Sequence, residues 1–168
     1  GCGATIIVRG STVDIVGEVE RCFDDCLGVV GQMYDDNRLL PGGGASYVAL
    51  ARALRRYAET IPGREQLAVA AFADALEVIV RVLAENGGLD PIDSLISVVS
   101  KQTSENQPHF GINLYSGEIE NMTSKGIIEP LGIVRQAIIG ATEASISILR
   151  IDDVLWAKQD IEIPELPQ

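Results

Sequence analysis

The spacing of apolar residues predicts a chain that folds mainly into helices. After the polar pair Ser11-Thr12, a favourable place for a helix to start, apolar side chains recur at alternating intervals of three and four residues from Val16 to Met33. This interval is typical of a narrow apolar seam along one face of a long helix. The polar run Asp35-Asp36-Asn37 then breaks the pattern, so the first helix is expected to stop there.

Glycine and proline residues divide the next part of the chain into further helices. The glycine run at 42–44 leads into one helix, and Pro62-Gly63 precedes another, in which residues 67–83 are apolar on almost every side. A helix that is apolar all round belongs in the middle of a bundle. Asp90-Pro91 then opens a further helix, with aspartate as its cap and proline at its first position.

Short β-prone segments interrupt the helices. Residues 110–115 and 118–122, separated by Ser116-Gly117, predict a small hairpin with a glycine in its turn. Residues 4–8 form another β-prone run, but no nearby segment can pair with it, so a strand here implies a partner elsewhere. The expected fold class is therefore mainly α, with a small β-hairpin and a short amino-terminal strand.

The last helix is expected to begin at Glu129-Pro130, because apolar residues again follow the three-four spacing after it. That pattern ends near Trp156. The tail at 161–168 contains two prolines and no core periodicity, so we expect it to be loosely ordered.

The composition narrows the classes of function. Hydrophobic residues make up 46% of the 168 and aromatic residues only 5%, so a one-domain core must be built mainly from small aliphatic side chains. A net charge of −11 disfavours a nucleic-acid groove, which needs clustered Lys and Arg, and an anionic membrane would repel it. Neither a membrane-spanning run nor a leader is found. The protein is therefore expected to be soluble and cytoplasmic, without nucleic-acid or membrane partners.

The cysteines do not indicate a disulfide framework, because three of them, Cys2, Cys22 and Cys26, are an odd number in a chain with no export signal. Cys22 and Cys26 lie four apart on the predicted first helix, where they could share a face as metal ligands. With a single distant histidine, His109, the ligand set stays incomplete. We expect both to be small buried core residues, and we expect no metal site.

Two features suggest nucleotide chemistry. The run at 42–44 stands before a helix whose free N–H groups and dipole favour an anion, although a simple tight turn is an equal alternative and no P-loop lysine follows. Asp24 and Asp25 fall off the apolar seam, and a carboxylate there could orient a water for attack on a phosphate. A solvated helix face, with Arg21 as a partner four residues away, is the simpler explanation from spacing alone.

Many segments, in order along nearly the whole chain, carry a resemblance to a known family. They include Ile7-Val8-Arg9-Gly10, Glu18-Val19-Glu20-Arg21, Pro41-Gly42-Gly43-Gly44-Ala45, Gly63-Arg64-Glu65-Gln66-Leu67-Ala68, Ala71-Phe72-Ala73-Asp74-Ala75-Leu76-Glu77 and Gly126-Ile127-Ile128-Glu129-Pro130. With these segments the sequence resembles the group II chaperonins, the archaeal thermosome and its eukaryotic cytosolic relatives.

The resemblance implies a domain organisation. A subunit of that family has an equatorial ATP-binding domain, an intermediate hinge and an apical substrate-binding domain, and its chain crosses all three and returns. This chain resembles the return leg, the carboxy-terminal third. Residues 1–9 would be the last apical strand, 10–40 the returning intermediate segment, and 41–168 the carboxy-terminal part of an equatorial domain.

The resemblance also implies roles for single residues. Asp25 matches the family's hydrolytic aspartate. Gly43 and Gly44 match the glycines that pack against the sugar and base side of ATP. Asn113, Leu114 and Tyr115 match the stretch that lines the adenine pocket, and Glu129 matches an acidic residue near the ribose hydroxyls.

The family's phosphate-binding Gly-Asp-Gly-Thr-Thr loop, with its magnesium aspartate, is not in this sequence. ATP with Mg²⁺ is therefore expected as the cofactor of the full-length protein, and this chain alone is expected to be inactive as an ATPase. The implied partners are other chaperonin subunits in a ring and non-native proteins, and the isolated chain is expected to self-associate. The alternative is a naturally truncated, non-enzymatic assembly module derived from a chaperonin.

Overall fold

The long first helix forms as the apolar spacing predicts. A computed structural model describes residues 3–153, and in it helix α1 runs over Val13–Asp35. Thr12 caps it, because its side-chain oxygen accepts a hydrogen bond from the Ile15 backbone N–H at 3.3 Å. No residue of α1 is buried, so its apolar seam lies mostly open within the described part of the chain.

Three helices form the centre of the fold: α2 (Ala45–Ala58), α3 (Glu65–Asn86) and α4 (Pro91–Ser104). Helix α3 packs against both of the others. Helix α4 begins as predicted, because Asp90 accepts hydrogen bonds from the N–H groups of Ile92 and Asp93 at 2.9 and 2.8 Å. The core between these helices is small and aliphatic, and its fully or almost fully buried members are Val48, Val80, Ala84, Val98 and Ile112.

An ionic contact accompanies the packing of α2 on α3. The Arg55 guanidinium donates to both carboxylate oxygens of Glu77, a buried residue, and to Asp74 at 2.7 Å. The fork geometry of arginine suits such bidentate pairing. Because the hydrogen bond to Glu77, and then that to Asp74, favours the charged guanidinium, the pKa of Arg55 lies well above its ordinary value. Asp74 and Glu77 of α3 are therefore both paired with α2.

Four short strands form two antiparallel pairs: β1 (Leu39–Pro41), β2 (Phe110–Asn113), β3 (Glu118–Asn121) and β4 (Ile128–Pro130). The pair β2–β3 is the predicted hairpin, with Gly117 in a left-handed conformation in its turn. The pair β1–β4, in which Leu40 stands opposite Glu129, was not predicted. Strands of three residues have too few positions to show an alternating pattern.

The buried side chain of Gln102 joins α4 to its neighbours. Its amide nitrogen donates to the carbonyls of Ala45, Pro108 and Phe110 at 3.0, 3.4 and 2.9 Å. One side chain thus connects the start of α2, the loop after α4 and the start of β2. Since a buried polar group without partners is costly, this amide also restricts how those three segments can pack.

Helix α5 runs over Leu131–Leu149. It begins after Glu129-Pro130 rather than at them, because both residues lie in β4 and pair with β1. The chain divides into two compact units, residues 1–134 and 135–168, and the described part of the second is the remainder of α5 with a few residues after it. Trp156 and the tail at 161–168 lie outside the described residues.

Two further expectations are wrong. Residues 4–8 are not a strand: no described segment pairs with them, and a β-prone run without a partner cannot form a ladder. Cys22 and Cys26 are exposed free thiols rather than core residues, because they lie on α1, none of whose residues is buried. Cys2 lies outside the described residues.

Helix α3 occupies the middle position predicted for it, but only one of its faces is covered. The side facing α2 and α4 buries Ala73, Leu76, Val80 and Ala84. The other side leaves large apolar residues exposed, namely Leu67, Phe72, Val78, Ile79 and Val82. None of the described helices combines the length and the apolar character needed to cross a membrane. Contiguous apolar surface of this kind is uncommon on isolated monomers.

The glycine at the start of α2 gives a stability test with an internal control. Gly44 has φ +76°, and an added Cβ would lie 2.6 Å from the Val80 side chain. Gly44→Ala is therefore expected to lower the free energy of unfolding by about 2 to 4 kcal/mol in urea titrations.

Gly28→Ala is the matched control. Its added Cβ meets no atom within 4 Å, and alanine is the better helix former, so a gain of about 0.5 to 1 kcal/mol is expected. Equal effects of the two substitutions would show that the packing at Gly44 is not tight.

Candidate functional site

The glycine turn before α2 is shaped by backbone geometry and close packing. Gly43 and Gly44 have φ values of +60° and +76°, in the left-handed region that favours glycine. A Cβ on Gly43 would lie 2.6 Å from both the carbonyl oxygen of Ile112 and the sulfur of Met122. Other residues of the protein therefore occupy the space beside these glycines, which agrees with the alternative that the glycine run is a simple tight turn.

Backbone hydrogen bonds hold this turn between the two strand pairs. The N–H of Gly42 donates to the Ile127 carbonyl at 3.0 Å, just before β4, and the N–H of Ile112 in β2 donates to the Gly43 carbonyl at 2.9 Å. The turn thus lies between the segment that carries Glu129 and the strand that ends at Asn113. The glycine turn is therefore hydrogen-bonded to both other regions predicted for adenosine, the strand that ends at Asn113 and the segment that leads to Glu129.

Glu129 lies in β4 with its carboxylate half-buried. Its Oε1 is buried and has no hydrogen-bond partner among the described residues. Burial raises the pKa of Glu129 above its ordinary value of 4.5. Tyr47 is close enough to respond to it: burial, and then the Glu129 charge, raises the pKa of the Tyr47 hydroxyl. The Oε1 atom of Glu129 can therefore accept a hydrogen bond that no described residue donates.

Asn113 is buried at the end of β2 and its amide is already engaged. Its Nδ2 donates to Glu120 at 2.6 Å, and its Oδ1 accepts from the Tyr115 N–H at 3.0 Å. Lys125 pairs with Glu120 at 2.6 Å. This contact with Lys125, and then the Asn113 hydrogen bond, lowers the pKa of Glu120, so the carboxylate that fixes Asn113 stays ionised.

Leu114 and Tyr115, the other two residues of the predicted adenine stretch, face outward. Leu114 is 42% exposed and Tyr115 is 98% exposed. The Leu114 side chain packs over Gly87, where an added Cβ would lie 2.5 Å from it. The stretch thus presents one apolar and one aromatic side chain to a ligand or a partner, from a hairpin whose turn is fixed by Asn113.

Asp25 is separate from these residues. It is exposed on α1, and no hydrogen bond or ion pair joins it to another described residue. Its expected partner Arg21 pairs with Glu18 instead, at 2.5 Å. Helix α1 approaches β4 near Gln32, about 10 Å further along its axis than Asp25. The structure therefore does not bring Asp25 into contact with the glycine turn or with Glu129.

The neighbouring Asp24 has different surroundings. It lines an open pocket of about 320 Å³ between α1 and the amino-terminal segment, together with Val16 and Phe23 of the apolar seam. Within residues 3–153, no group of three or more His, Cys, Asp or Glu side chains is arranged to hold a metal ion.

Two residues that shape the site were missed. Tyr47 lies near Glu129 only because α2 follows directly on the glycine turn, and Glu120 holds Asn113 only through the register of the β2–β3 pair. Neither residue type nor spacing in the sequence signals these contacts. They depend on strand pairing, which brings distant residues together.

Comparison with known proteins gives one consistent family. The sequence profile described as the TCP-1/cpn60 chaperonin family matches residues 1–159. The chain is 49% identical over 155 residues to a thermosome subunit of Methanothermococcus thermolithotrophicus, covering 92% of this chain and 28% of that protein. It is 53% identical over 153 residues to the thermosome subunit alpha of Halobacterium salinarum, covering 91% and 27%. The chain therefore spans just over a quarter of the length of these relatives.

Solved structures agree with the sequence matches. The open-state monomer of a group II chaperonin from Methanococcoides burtonii superposes with a TM-score of 0.71 at 46% identity, covering 84% of this chain and 35% of that one. A group III chaperonin in the open state superposes with a TM-score of 0.78 at 34% identity, covering 87% and 29%.

The half-buried carboxylate predicts a pH-dependent stability difference. Because burial raises the pKa of Glu129 in the folded chain, ionising it opposes folding, and this loss of stability grows as pH rises through that pKa. Glu129→Gln avoids the charge. Urea titrations at a series of pH values should therefore show no difference from the parent below pH 4.5, the ordinary pKa, and a more stable variant near neutrality.

Glu85→Gln, at an exposed position of α3, controls for removing one negative charge from a chain of net charge −11. If both variants gain stability equally with pH, the effect comes from net charge and not from burial of Glu129.

Proposed function

The chain belongs to the TCP-1/cpn60 chaperonin family, and we propose that it is part of an ATP-dependent protein-folding subunit to which it contributes the adenosine side of the nucleotide site and the hydrolytic aspartate. Since it spans about 28% of the relatives' length, the remaining parts of such a site would come from the rest of the subunit. Residues 1–9, 10–40 and 41–168 would belong to the apical, intermediate and equatorial domains.

The observation that carries the proposal is the unsatisfied carboxylate of Glu129 beside the glycine turn. Its buried Oε1 lacks a donor in the described part of the chain, and a ribose hydroxyl is a donor of the kind it needs. The glycine turn runs beside β4, because Gly42 donates to the Ile127 carbonyl at 3.0 Å, and exposed Leu114 and Tyr115 offer apolar and aromatic surface for an adenine ring. Gly43 and Gly44 would meet the sugar through their backbone, since the space of their missing side chains is filled by Ile112, Met122 and Val80. These residues fit the sugar and base of ATP.

ATP, when bound, supplies a phosphoryl group that can be transferred to water. The phosphate loop and the magnesium aspartate expected from the family are not in this sequence, so these residues would hold adenosine and leave the phosphates to other segments.

Asp25 is proposed to act in hydrolysis and not in binding adenosine. An exposed carboxylate with no partner among the described residues, on a helix that would belong to a hinge domain, would be available to orient a water when that helix approaches the nucleotide.

The exposed apolar faces support the assembly part of the proposal. The open side of α3 and the seam of α1 carry more large apolar residues than an isolated monomer usually exposes. In a complete subunit the missing equatorial and intermediate segments, and neighbouring subunits of a ring, would cover them. Closure of such a ring around a non-native protein would then be coupled to ATP binding and hydrolysis.

The purified 168-residue chain is expected not to hydrolyse ATP at a chaperonin-like rate. Phosphoryl transfer depends on metal and phosphate positioning, and the residues expected to provide them lie outside this chain. Phosphate release would be measured with Mg²⁺ and ATP at several protein concentrations. Magnesium-dependent turnover that Asp25→Ala abolishes would refute the division of the site, whereas nucleotide binding without turnover would support it over a purely structural module.

In a complete subunit, Asp25→Ala is expected to reduce single-turnover ATP hydrolysis by roughly two orders of magnitude or more while ATP affinity changes little. A carboxylate that orients water acts on the transition state rather than on the bound nucleotide. Hydrolysis would be followed by rapid quench and affinity by calorimetry.

Asp24→Ala is the matched control, since adjacent helical residues point about 100° apart and Asp24 lines the pocket next to the seam. If Asp24→Ala lost hydrolysis while Asp25→Ala kept it, the hydrolytic role would belong to Asp24 and its assignment to Asp25 would be wrong. If neither variant lost activity, no hydrolytic role would remain on this helix.

A further inference from the structure

A second pocket lies beside α2, next to its contact with Gln102 of α4. It has a volume of about 220 Å³ and is formed by α2 and by the loop between α4 and β2. Its polar lining includes Arg52 and Arg56 from the helix, and Gln102 and Asn106 from α4 and the loop. None of these residues belongs to the glycine turn, to the hairpin end or to β4, so the pocket is distinct from the proposed nucleotide site.

The two arginines have no anionic partner. Arg52 and Arg56 are four residues apart and therefore lie on the same face of α2. Neither forms an ion pair or a side-chain hydrogen bond with any residue from 3 to 153, whereas Arg55, between them, is paired with two carboxylates. In a chain with 24 acidic and 13 basic residues, two adjacent guanidinium groups without a carboxylate leave local positive charge to be neutralised.

The wall opposite the arginines is held in place. The buried amide of Gln102 donates to the carbonyl of Pro108, which lines the pocket, and to those of Ala45 and Phe110. Asn106 has a φ of 51°, in the left-handed region that asparagine tolerates better than most residues. The hydrogen bonds of Gln102 therefore connect the loop at Pro108 to α2 and to β2, and a preformed wall of this kind reduces the entropy lost on binding.

Gln102 also has an unsatisfied acceptor. Its Oε1 is buried and has no hydrogen-bond partner among the described residues, while its nitrogen is fully used by three carbonyls. A ligand that satisfies the whole pocket would present oxyanion oxygens to two guanidinium forks and one proton-bearing atom to an amide oxygen. Hydrogen phosphate and the monoanionic form of a phosphate monoester carry both groups, and the pocket has room for several non-hydrogen atoms.

We propose that the pocket formed by Arg52, Arg56 and Gln102 binds a phosphate group, either as free inorganic phosphate or as a monoester on a larger molecule. The site shares no lining residue with the proposed adenosine side, because it is formed by residues of α2 and α4 and by the loop after α4. Its affinity is expected to fall with added salt, since both arginines reach solvent.

The test is a titration of the 168-residue chain with inorganic phosphate, and separately with O-phosphoserine, followed by ³¹P NMR. Saturable binding in the millimolar range is expected, weakened at least about tenfold by the double variant Arg52→Gln/Arg56→Gln. Arg52→Lys/Arg56→Lys keeps both charges but loses the forks, and should weaken binding by an intermediate factor. Binding of phosphate alone identifies the free anion as the ligand, and binding of both probes identifies a monoester-compatible site.

Arg64→Gln is the matched control, because Arg64 is exposed just before α3 and lies outside the pocket. It should leave phosphate binding unchanged. Circular dichroism and urea midpoints would establish that each variant is folded; should the double glutamine variant unfold, the double lysine variant carries the comparison. The proposal is wrong if the parent chain shows no saturable binding of either probe, or if Arg64→Gln weakens binding as much as the pocket variants do.

Discussion

The fold depends on a place where no side chain fits. At Gly43 and Gly44 the backbone is left-handed and the positions of two missing Cβ atoms are occupied by Ile112, Met122 and Val80. This contact brings the start of α2 against β2 on one side and against α3 on the other. Because the same turn also accepts a backbone hydrogen bond from β2 and donates one to the segment before β4, the two strand pairs and the central helices take their positions from it.

Polar groups in the interior complete that arrangement. The buried amide of Gln102 donates to carbonyls of three segments, and the guanidinium of Arg55 joins α2 to the buried Glu77 of α3, so alternative packings would leave buried polar groups without partners. The small aliphatic core around Val48, Val80 and Ile112 gives little shape specificity of its own. Directional hydrogen bonds therefore contribute much of what selects one arrangement of α2, α3 and α4.

The proposed nucleotide site and the open surfaces have a common cause. Adenosine-side residues are grouped by the strand pairs, whereas Asp25 lies on a helix with no buried residue and no bond to that group. The chain spans just over a quarter of the length of its relatives, and the residues proposed for the adenosine side are those that its own folding groups. Under the proposed function, cover for α3 and the approach of α1 to the nucleotide would come from the rest of a subunit.

The sequence by itself determined the helices, the β2–β3 hairpin and the family, because these rest on local signals: apolar spacing, the caps at Thr12 and Asp90, a turn glycine, and ordered matching segments. It also indicated which residues to examine for nucleotide chemistry. It did not determine the β1–β4 pair, the exposure of Cys22 and Cys26, or the missing strand at residues 4–8. Each of these depends on whether a distant segment supplies a pairing partner or a covering face. Only the tertiary structure decided that Glu129 has an unsatisfied oxygen beside the glycine turn and that Arg52 and Arg56, unlike Arg55, lack a carboxylate, because burial and pairing are set by contacts between residues far apart in the chain.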